Sequence, residues 1–248
     1  IVVGGVSATG TITDDDLPPS ITTVEPGAPG VGDDAVVEGT SLVYNVALSN
    51  ASSVATTFAF SLGGGTATAG LDYTNAPTFS NGVSLAGGLI TVPAGVTSFS
   101  VTVPSIDDAL VEVGANETLP LTIGGITGTG ALIDNESAQT VSSVSADTQI
   151  EGTSLVHTVT LSSASASATT HSFSLSGVSA TAGLDFSTAA TFSAGVTLAG
   201  GVLTVPAGVT SFTVTVPTLL DTIDEPSETT AIVVGGVSAT GTITDDDL

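Results

Sequence analysis

The side chains of this sequence that could do chemistry are carboxylates, and their spacing repeats. The chain has 24 Asp and Glu residues and no Lys or Arg. One series comprises Glu38, Asp72, Asp107, Asp108, Glu112, Glu117, Asp134 and Glu136. A second series comprises Glu151, Asp185, Asp221, Asp224, Glu225, Glu228, Asp245, Asp246 and Asp247, and a further set is Asp14, Asp15 and Asp16. The acids of each series form four groups that precede or follow strand-like segments, which indicates one carboxylate cluster at one end of each of two domains.

Such a cluster predicts a calcium site. Carboxylates a few ångströms apart repel each other by roughly 1 kcal/mol per pair in water, and this chain, with a formal charge of −24, has no Lys or Arg to offset that repulsion. Ligands that are all oxygen suit Ca²⁺ better than a soft metal, and this many acids suggest more than one ion per domain. The alternative is that the Asp residues form turns and keep the protein soluble. Calcium binding is favoured because the four groups of acids recur at corresponding positions in both domains. The predicted metal ligands are Asp14, Asp15, Asp16, Glu38, Asp72, Asp107, Asp108, Glu112, Asp134, Glu136, Glu151, Asp185, Asp221, Glu225, Glu228, Asp245, Asp246 and Asp247.

Composition argues against several other functions. A chain without cationic side chains has nothing to neutralise phosphates or anionic lipid headgroups, so we expect neither nucleic-acid binding nor membrane insertion. Cysteine is absent, so no disulfide stabilises the chain. We also expect that the protein is not an enzyme, because the sequence has no identifiable nucleophile with a partner base. The carboxylates are clustered in large number and lack the aromatic cleft of a glycosidase.

The two histidines offer an alternative metal site. His157 and His171 both flank residues 162–169, so they could approach each other and bind a transition metal. Tyr44 and Phe58 stand at the corresponding positions of the first series. Because both of those residues are aromatic, a packing role for the histidines is favoured.

Internal repeats give the domain organisation. Residues 1–17 recur without change as residues 232–248, at an offset of 231, and residues 67–104 closely resemble residues 180–217 at an offset of 113. The second offset falls to 111 after Gly114. The predicted divisions are residues 1–17 as the C-terminal strands of a preceding repeat, residues 18–136 as domain one and residues 137–248 as domain two. We expect the chain to be a section of a longer array.

Alternating apolar and polar residues predict strands throughout both domains. Residues 98–103 and 211–216 are clear examples, with Phe and Val alternating with Ser and Thr. No stretch has a convincing helical period. About seven such segments per domain predict an all-β protein of tandem seven-stranded antiparallel β-sandwiches, immunoglobulin-like and joined head to tail.

Several motifs in a fixed order resemble the Calx-β domain, a module of sodium–calcium exchangers that also recurs in large bacterial surface proteins. They are the EGTS opening, the ATAGLDY or ATAGLDF segment, the D-x-x-x-E-x-x-E loop and the closing TGTITDDD. The resemblance implies a seven-stranded sandwich with Ca²⁺ at the end where the chain leaves the domain. The ligands that it implies in domain two are Glu151, Asp185, Asp221, Glu225, Asp245, Asp246 and Asp247, with Glu228 as a further candidate.

The sequence departs from this family at three points. Leu220 precedes Asp221, where the family has paired Asp residues, and domain one closes with Asp134, Asn135 and Glu136 instead of three Asp residues. Each cluster could therefore bind fewer ions, or bind them more weakly. The absence of Lys and Arg points away from a regulatory sensor and towards a bacterial repeat array.

These observations favour a calcium-binding extender repeat of a long bacterial surface adhesin or fibre, in which Ca²⁺ stiffens the interdomain joints. The alternative is a subunit that self-assembles into an extracellular filament, sheath or surface layer. The expected partners are neighbouring repeats of the same chain and, by lateral association, further copies of it. The expected location is the cell surface of a bacterium.

Overall fold

The computed structural model describes residues 1–13, 15–28, 34–112 and 116–247. These residues form 24 β-strands, and no helix occurs among them, so the predicted all-β fold class is confirmed. The chain gathers into two compact units, which are residues 1–107 with 116–133, and residues 108–115 with 134–248. The described part of the segment that follows Asp107, residues 108–112, therefore belongs to the second unit. The domain boundaries inferred from the repeats stay a prediction.

The strands up to Ile133 are short and closely spaced. They are β1 (Val2–Val3), β2 (Val6–Ser7), β3 (Ile21–Pro26), β4 (Ala35–Val37), β5 (Leu42–Leu48), β6 (Thr56–Leu62), β7 (Thr78–Phe79), β8 (Ser84–Ala86), β9 (Leu89–Val92), β10 (Ser98–Val103), β11 (Leu110–Val111), β12 (Glu117–Ile123) and β13 (Ile126–Ile133). All of these except β11 lie in the first unit.

The first unit is a β-sandwich. One sheet has the strand order β3-β5-β10-β7 and the other has the order β4-β13-β12-β6-β9-β8. Side chains from both sheets meet in a single core, which includes Tyr44, Ile90, Val101 and Leu121. In β5 every second residue is buried, as the period-2 pattern predicted.

The second unit repeats this architecture. Its further strands are β14 (Val141–Val144), β15 (Asp147–Ile150), β16 (Leu155–Leu161), β17 (Ala164–Ser165), β18 (Thr169–Gly177), β19 (Thr191–Phe192), β20 (Thr197–Ala199), β21 (Val202–Val205), β22 (Ser211–Val216), β23 (Glu228–Val234) and β24 (Val237–Thr244). The sheets have the orders β14-β16-β22-β19 and β15-β24-β23-β18-β21-β20. Within this unit, β11 also pairs in parallel with β17.

The opening strand of each sandwich is split between the two sheets, a feature that periodicity did not predict. In the second unit β14 pairs antiparallel with β16, whereas β15 pairs in parallel with β24 of the other sheet. The first unit does the same with β3 and β4. The split and the added strands of two to four residues raise each sandwich above the predicted seven strands. The split also brings acids together, because the parallel segment of the opening strand runs beside the last strand and ends where that strand ends.

Residues 1–17 form only a small hairpin, in which β1 and β2 pair across the turn Gly4–Gly5. Every described residue of this segment is exposed. The same sequence at residues 232–247 forms the last three residues of β23 and all of β24. The inward side chains Ile232, Val234 and Ile243 are buried in the core of the second unit.

Candidate calcium sites

The clearest carboxylate group of the second unit consists of Glu151, Asp245 and Asp247. One carboxylate oxygen from each of the three lies within 4.8 Å of the others. The parallel pairing of β15 with β24 explains the meeting, because Ile150 is in register with Thr244 and the two strands end side by side. The Glu151 amide completes this pairing by donating to the Thr244 carbonyl oxygen at 3.0 Å.

Local backbone geometry fixes which acids face the group. Gly152 directly follows Glu151 and has φ of +71°, a left-handed conformation that residues with a Cβ rarely adopt. The chain therefore turns sharply as soon as it has presented Glu151. Directly after β24, Asp245 and Asp247 are half-buried and contribute to the group. Asp246, which lies between them, is exposed.

A second group in the same unit consists of Asp185, Glu225 and Glu228, whose oxygens also lie within 4.8 Å of one another. Asp185 is held in a turn after β18, where its Oδ2 accepts a hydrogen bond from the Thr181 amide. Glu228 begins β23 and pairs with Ile243 near the end of β24. One turn, one loop and the start of one strand therefore bring these three carboxylates together.

The pKa values of these acids reflect burial and mutual repulsion. Burial is the largest cause that raises the pKa of Glu228 to about 7, and its hydrogen bond to Asp185 and the surrounding negative charges add to the effect. Burial likewise raises the pKa of Glu151, with contributions from the charges of Asp221 and Asp245. Protonating several clustered acids would relieve this repulsion, and so would binding a cation.

The two groups are linked electrostatically. Burial raises the pKa of Glu225, and the charges of Asp221, Asp185 and Asp245 raise it further. Asp245 belongs to the first group, whereas Asp185 and Glu225 belong to the second. The Asp221 amide also donates to Glu151 Oε2 at 3.4 Å. A cation bound in either group would therefore stabilise the ionised acids of both.

Two buried oxygens show that the first group fits a cation. Asp245 Oδ1 and Asp247 Oδ2 are buried and have no hydrogen-bond partner among the described residues. Buried acceptors without a partner are rare in proteins. Calcium binds oxygen at 2.3–2.6 Å, so two of its ligands lie at most about 5 Å apart. The separations of up to 4.8 Å within each group meet this limit, and every donor atom is oxygen.

The first unit holds its own acids at corresponding positions. Glu38 and Asp72 are both buried, and Asp72 Oδ2 accepts a hydrogen bond from the Thr68 amide, as Asp185 does from Thr181. A carboxylate oxygen of Asp72 and one of Glu117 lie within 4.8 Å. Glu117 was not among the predicted ligands. Its equivalence to Glu228 at the end of the D-x-x-x-E-x-x-E loop was the signal that could have identified it.

Four acids of the first series belong to the second unit, namely Asp108, Glu112, Asp134 and Glu136. The amides of Glu112 and Glu136 donate to the two oxygens of Asp134, each at 3.0 Å. Burial opposes ionisation of Asp134, but these hydrogen bonds outweigh it and lower its pKa. A carboxylate oxygen of Asp134 and one of Glu136 lie within 4.8 Å of each other.

Several predicted ligands are not in any group of three within the described ranges. Asp15, Asp16, Asp107, Asp108 and Asp246 are exposed, and Asp108 Oδ1 accepts a hydrogen bond from the Leu110 amide at 2.6 Å. Asp221 accepts from the Ile223 amide at 2.7 Å, so that it shapes the loop beside both groups. Asp14 lies outside the described residues.

Both histidine side chains are buried within the second unit. His157 is fully buried, and its Nδ1 lies 2.8 Å from the Ser145 carbonyl oxygen. His171 lies 3.4 Å from Gln139 Oε1, and burial lowers its pKa. Neither histidine belongs to a group of three potential metal ligands among residues that the structure describes.

Comparison with solved structures places calcium-binding domains among those similar to this chain. The calcium-binding domain CBD12 of CALX1.1 matches with 17% identity and a TM-score of 0.33, covering 80% of this chain and 76% of that one. The apo form of the Calx CBD1 domain matches with 20% identity and a TM-score of 0.35, covering 44% of this chain and 98% of that one. Calx calcium-binding domains, which carry the motifs that this sequence resembles, are therefore among the structural neighbours of the chain.

The likeness extends to other β-sandwich proteins at similarly low identity. Domains 4 and 5 of the S-layer protein SbsC match with 12% identity and a TM-score of 0.27, covering 91% of this chain and 98% of that one. No protein-family model and no curated protein sequence matches the chain. Within the described residues, no helix has the length and apolar character that crossing a membrane requires.

Proposed function

We propose that the chain is a calcium-binding structural module of an extracellular protein. The observation that carries this proposal is the group formed by Glu151, Asp245 and Asp247. Two of its oxygens are buried without a hydrogen-bond partner in the described part of the chain, and the chain has no Lys or Arg to neutralise the group. A hard cation with oxygen ligands supplies both the missing partner and the missing charge.

The residues assigned to calcium in the second unit form two neighbouring groups. Glu151, Asp245 and Asp247 would hold one ion, and Asp185, Glu225 and Glu228 would hold a second. Outside cells Ca²⁺ is millimolar, so even an affinity typical of extracellular modules, about 10⁻⁴–10⁻³ M, would keep much of the protein loaded. Calcium at one to ten times its Kd would stabilise the folded state by about 0.4–1.4 kcal/mol per site.

The alternation of the closing acids provides a matched test. Asp247→Asn and Asp246→Asn each remove one charge from adjacent positions, but only Asp247 faces the group. We expect Asp247→Asn to weaken calcium binding by about tenfold or more, because charge and ligand number set the affinity. We expect Asp246→Asn to bind almost as the unchanged protein does. Isothermal titration with Ca²⁺, and with Mg²⁺ as the specificity control, measures both.

Two outcomes would count against the calcium proposal. One is that both substitutions weaken calcium binding equally, which would mean that only the total charge matters and not the position of the carboxylate. The other is an unchanged melting temperature for the unsubstituted protein in EDTA and in millimolar calcium.

We further propose that the chain serves as an extender repeat of a long bacterial surface adhesin, in which bound calcium stiffens the succession of units. Two similar sandwiches and a 17-residue segment that recurs at an offset of 231 support an array, since repeated modules build extended proteins. In this role the chain has no catalytic function, and its partners are neighbouring repeats. Small-angle scattering should give a longer maximum dimension in calcium than in EDTA, and equal dimensions would refute the stiffening role.

A further inference from the structure

Three polar side chains outside the carboxylate groups meet within the second unit. The Thr169 hydroxyl donates a hydrogen bond to Gln139 Oε1 at 2.5 Å. His171 Nε2 lies 3.4 Å from Thr169 Oγ1 and 3.4 Å from Gln139 Oε1. A hydroxyl, a carboxamide and an imidazole therefore lie next to one another, and these are a nucleophile, an acyl group and a base.

Strand β18 places two of these groups side by side. Thr169 and His171 are two residues apart in this strand, and side chains two residues apart lie on the same face of a sheet. His171 has an exposed fraction of 8%, and this burial lowers its pKa. The imidazole is therefore neutral at about pH 7 and can accept a proton from the hydroxyl.

Two backbone carbonyl groups fix the orientation of the Gln139 carboxamide. Its Nε2 donates to the Ser163 carbonyl oxygen at 2.7 Å and to the Val209 carbonyl oxygen at 3.2 Å. Because only the amide nitrogen can donate these bonds, Oε1 is the atom that faces Thr169. A C=O bond is about 1.23 Å long, so the hydroxyl oxygen lies within about 3.7 Å of the carboxamide carbon, close to the separation of about 3–3.5 Å at which reacting atoms are held in enzymes.

The first unit closes the same part of its sandwich without these groups. It keeps the hydroxyl as Thr56, but Pro19 and Phe58 stand where the second unit has the carboxamide and the imidazole. In both units the amide that follows the Gln or Pro position donates to an equivalent serine hydroxyl at 3.0 Å. The backbone therefore takes the same path in both units, and the fold does not need the three polar groups.

From this geometry we propose that the second unit forms an intramolecular ester between Thr169 and Gln139. His171 Nε2 accepts the hydroxyl proton as Thr169 Oγ1 bonds to Gln139 Cδ. The Cδ–Nε2 bond then breaks, and the proton passes from the imidazolium to the departing nitrogen, which leaves as ammonia. Nothing is oxidised or reduced, and no further reactant is needed. Holding the two groups together supplies an effective concentration of about 10⁵–10⁸ M.

The ester joins the two sheets of the sandwich covalently. Gln139 lies two residues before β14 of one sheet, and Thr169 begins β18 of the other. The chain has no cysteine and no lysine, so neither a disulfide nor a lysine amide can provide such a link. None of the three residues belongs to a carboxylate group, so the ester forms whether or not calcium is bound.

Mass spectrometry of the full chain tests the bond. We expect the intact mass to be lower than that of the sequence by the mass of one ammonia. A protease that cleaves after acidic residues cuts at Asp147 and Glu151, between the two linked positions, so fragments 137–147 and 152–185 should remain joined. Neutral hydroxylamine, which cleaves esters, should separate the two fragments.

Three substitutions should prevent or slow the reaction. Thr169→Val removes the nucleophile and Gln139→Glu removes the amide leaving group, so both variants should keep the full mass of their sequences. His171→Phe introduces the residue of the first unit and should slow ester formation by about 10²–10⁴-fold, since a positioned base contributes that much. Thr170→Val is the matched control on the exposed side of β18 and should form the ester as the unchanged chain does. The ring resonances of His157 report in each variant whether the second unit is folded.

Two results would overturn this proposal. The first is an intact mass equal to that of the sequence in folded, unchanged protein, since the three side chains would then form hydrogen bonds only. The second is a loss of ammonia that persists in Thr169→Val or leaves the two fragments separate, which would assign the loss to a succinimide at Asn81-Gly82. The mass should be the same in EDTA and in calcium, so the ester and the calcium proposal can fail independently.

Discussion

The two sandwiches share a backbone design but differ at one buried pair of core positions. In the first unit the Tyr44 hydroxyl donates a hydrogen bond to the Leu119 carbonyl oxygen. In the second unit the equivalent residues are His157 and Thr230, both with an exposed fraction of 0%. His157 Nε2 and Thr230 Oγ1 are buried there without a hydrogen-bond partner among the described residues. The same fold thus tolerates either a satisfied aromatic side chain or two unsatisfied polar atoms.

The unsatisfied atoms surround one backbone position. A Cβ on Gly241 would lie 2.5 Å from Thr230 Oγ1 and 3.3 Å from His157 Nε2, so no larger residue fits between them. A buried polar atom without a partner destabilises a protein by roughly 1–3 kcal/mol. The second sandwich therefore has a less favourable core at this position than the first, and it keeps the same fold because the surrounding strands determine the backbone.

The two units can be followed separately in solution. Both tyrosines, Tyr44 and Tyr73, lie in the first unit, and both histidines, His157 and His171, lie in the second. Tyrosine fluorescence therefore reports unfolding of the first unit, and the histidine ring resonances report unfolding of the second.

The largest expected effect comes from removing the unsatisfied hydroxyl. Thr230→Val keeps the shape of the side chain and should raise the unfolding free energy of the second unit by about 1–3 kcal/mol. Urea titration followed by the histidine resonances measures this change. Thr240→Val is the matched control on the exposed face of β24 and should change stability by less than about 0.5 kcal/mol. A loss of stability in Thr230→Val would mean that the hydroxyl has a partner.

A turn provides the next contrast between the units. Asn81 and Ala194 occupy equivalent positions, and both have φ of 54°. Asn tolerates this conformation better than Ala, and Asn81 also donates to the Ser98 carbonyl oxygen at 2.7 Å. Ala194→Asn should therefore stabilise the second unit by about 1 kcal/mol, and Asn81→Ala should destabilise the first by a similar amount. Opposite shifts in the two urea midpoints check the pair, and shifts of equal sign would contradict it.

The smallest expected effect is a pH dependence confined to the second unit. The folded-state pKa of Glu228 is raised to about 7, above its ordinary value, so the folded state binds more protons than the unfolded state between pH 4.5 and pH 7. This stabilisation is fully present below about pH 4.5 and is lost as the pH rises through 7. In calcium-free buffer, Glu228→Gln should flatten the rise in stability on acidification. Asp224→Asn, exposed on the same loop, should leave it unchanged, and equal slopes in both variants would contradict the assignment.

Much of the fold was predictable because its signals are local. Alternation along residues 98–103 and 211–216 identified strands that pair as expected. The repeat offsets identified two similar halves, and acids at strand ends identified the candidate calcium groups. The sequence did not predict the split of the opening strand into β14 and β15, because both pieces alternate in the same way and only their pairing partners differ.

Which acids belong to the candidate calcium groups depends on three-dimensional geometry, and the composition of the chain does not reveal that geometry. Asp245, Asp246 and Asp247 are chemically equivalent in the sequence, yet only the first and third face Glu151. The sequence patterns did not identify Glu117 as a ligand, although a carboxylate oxygen of Glu117 lies within 4.8 Å of one of Asp72 in the first unit. Which carboxylates converge depends on where each strand ends relative to its neighbours, and long-range pairing sets that relation.

Residues 1–17 and 232–248 have the same sequence, and they share their turn conformation but not their burial. The Gly-Gly turn has almost the same φ values in both copies, because glycine adopts the left-handed conformation without steric cost and needs no partner to do so. Strand length differs after the turn, with two residues in β2 of one copy against eight in β24 of the other. Burial differs as well, since a lone hairpin is only marginally stable in water and its apolar side chains leave solvent only where β15 and β18 flank it.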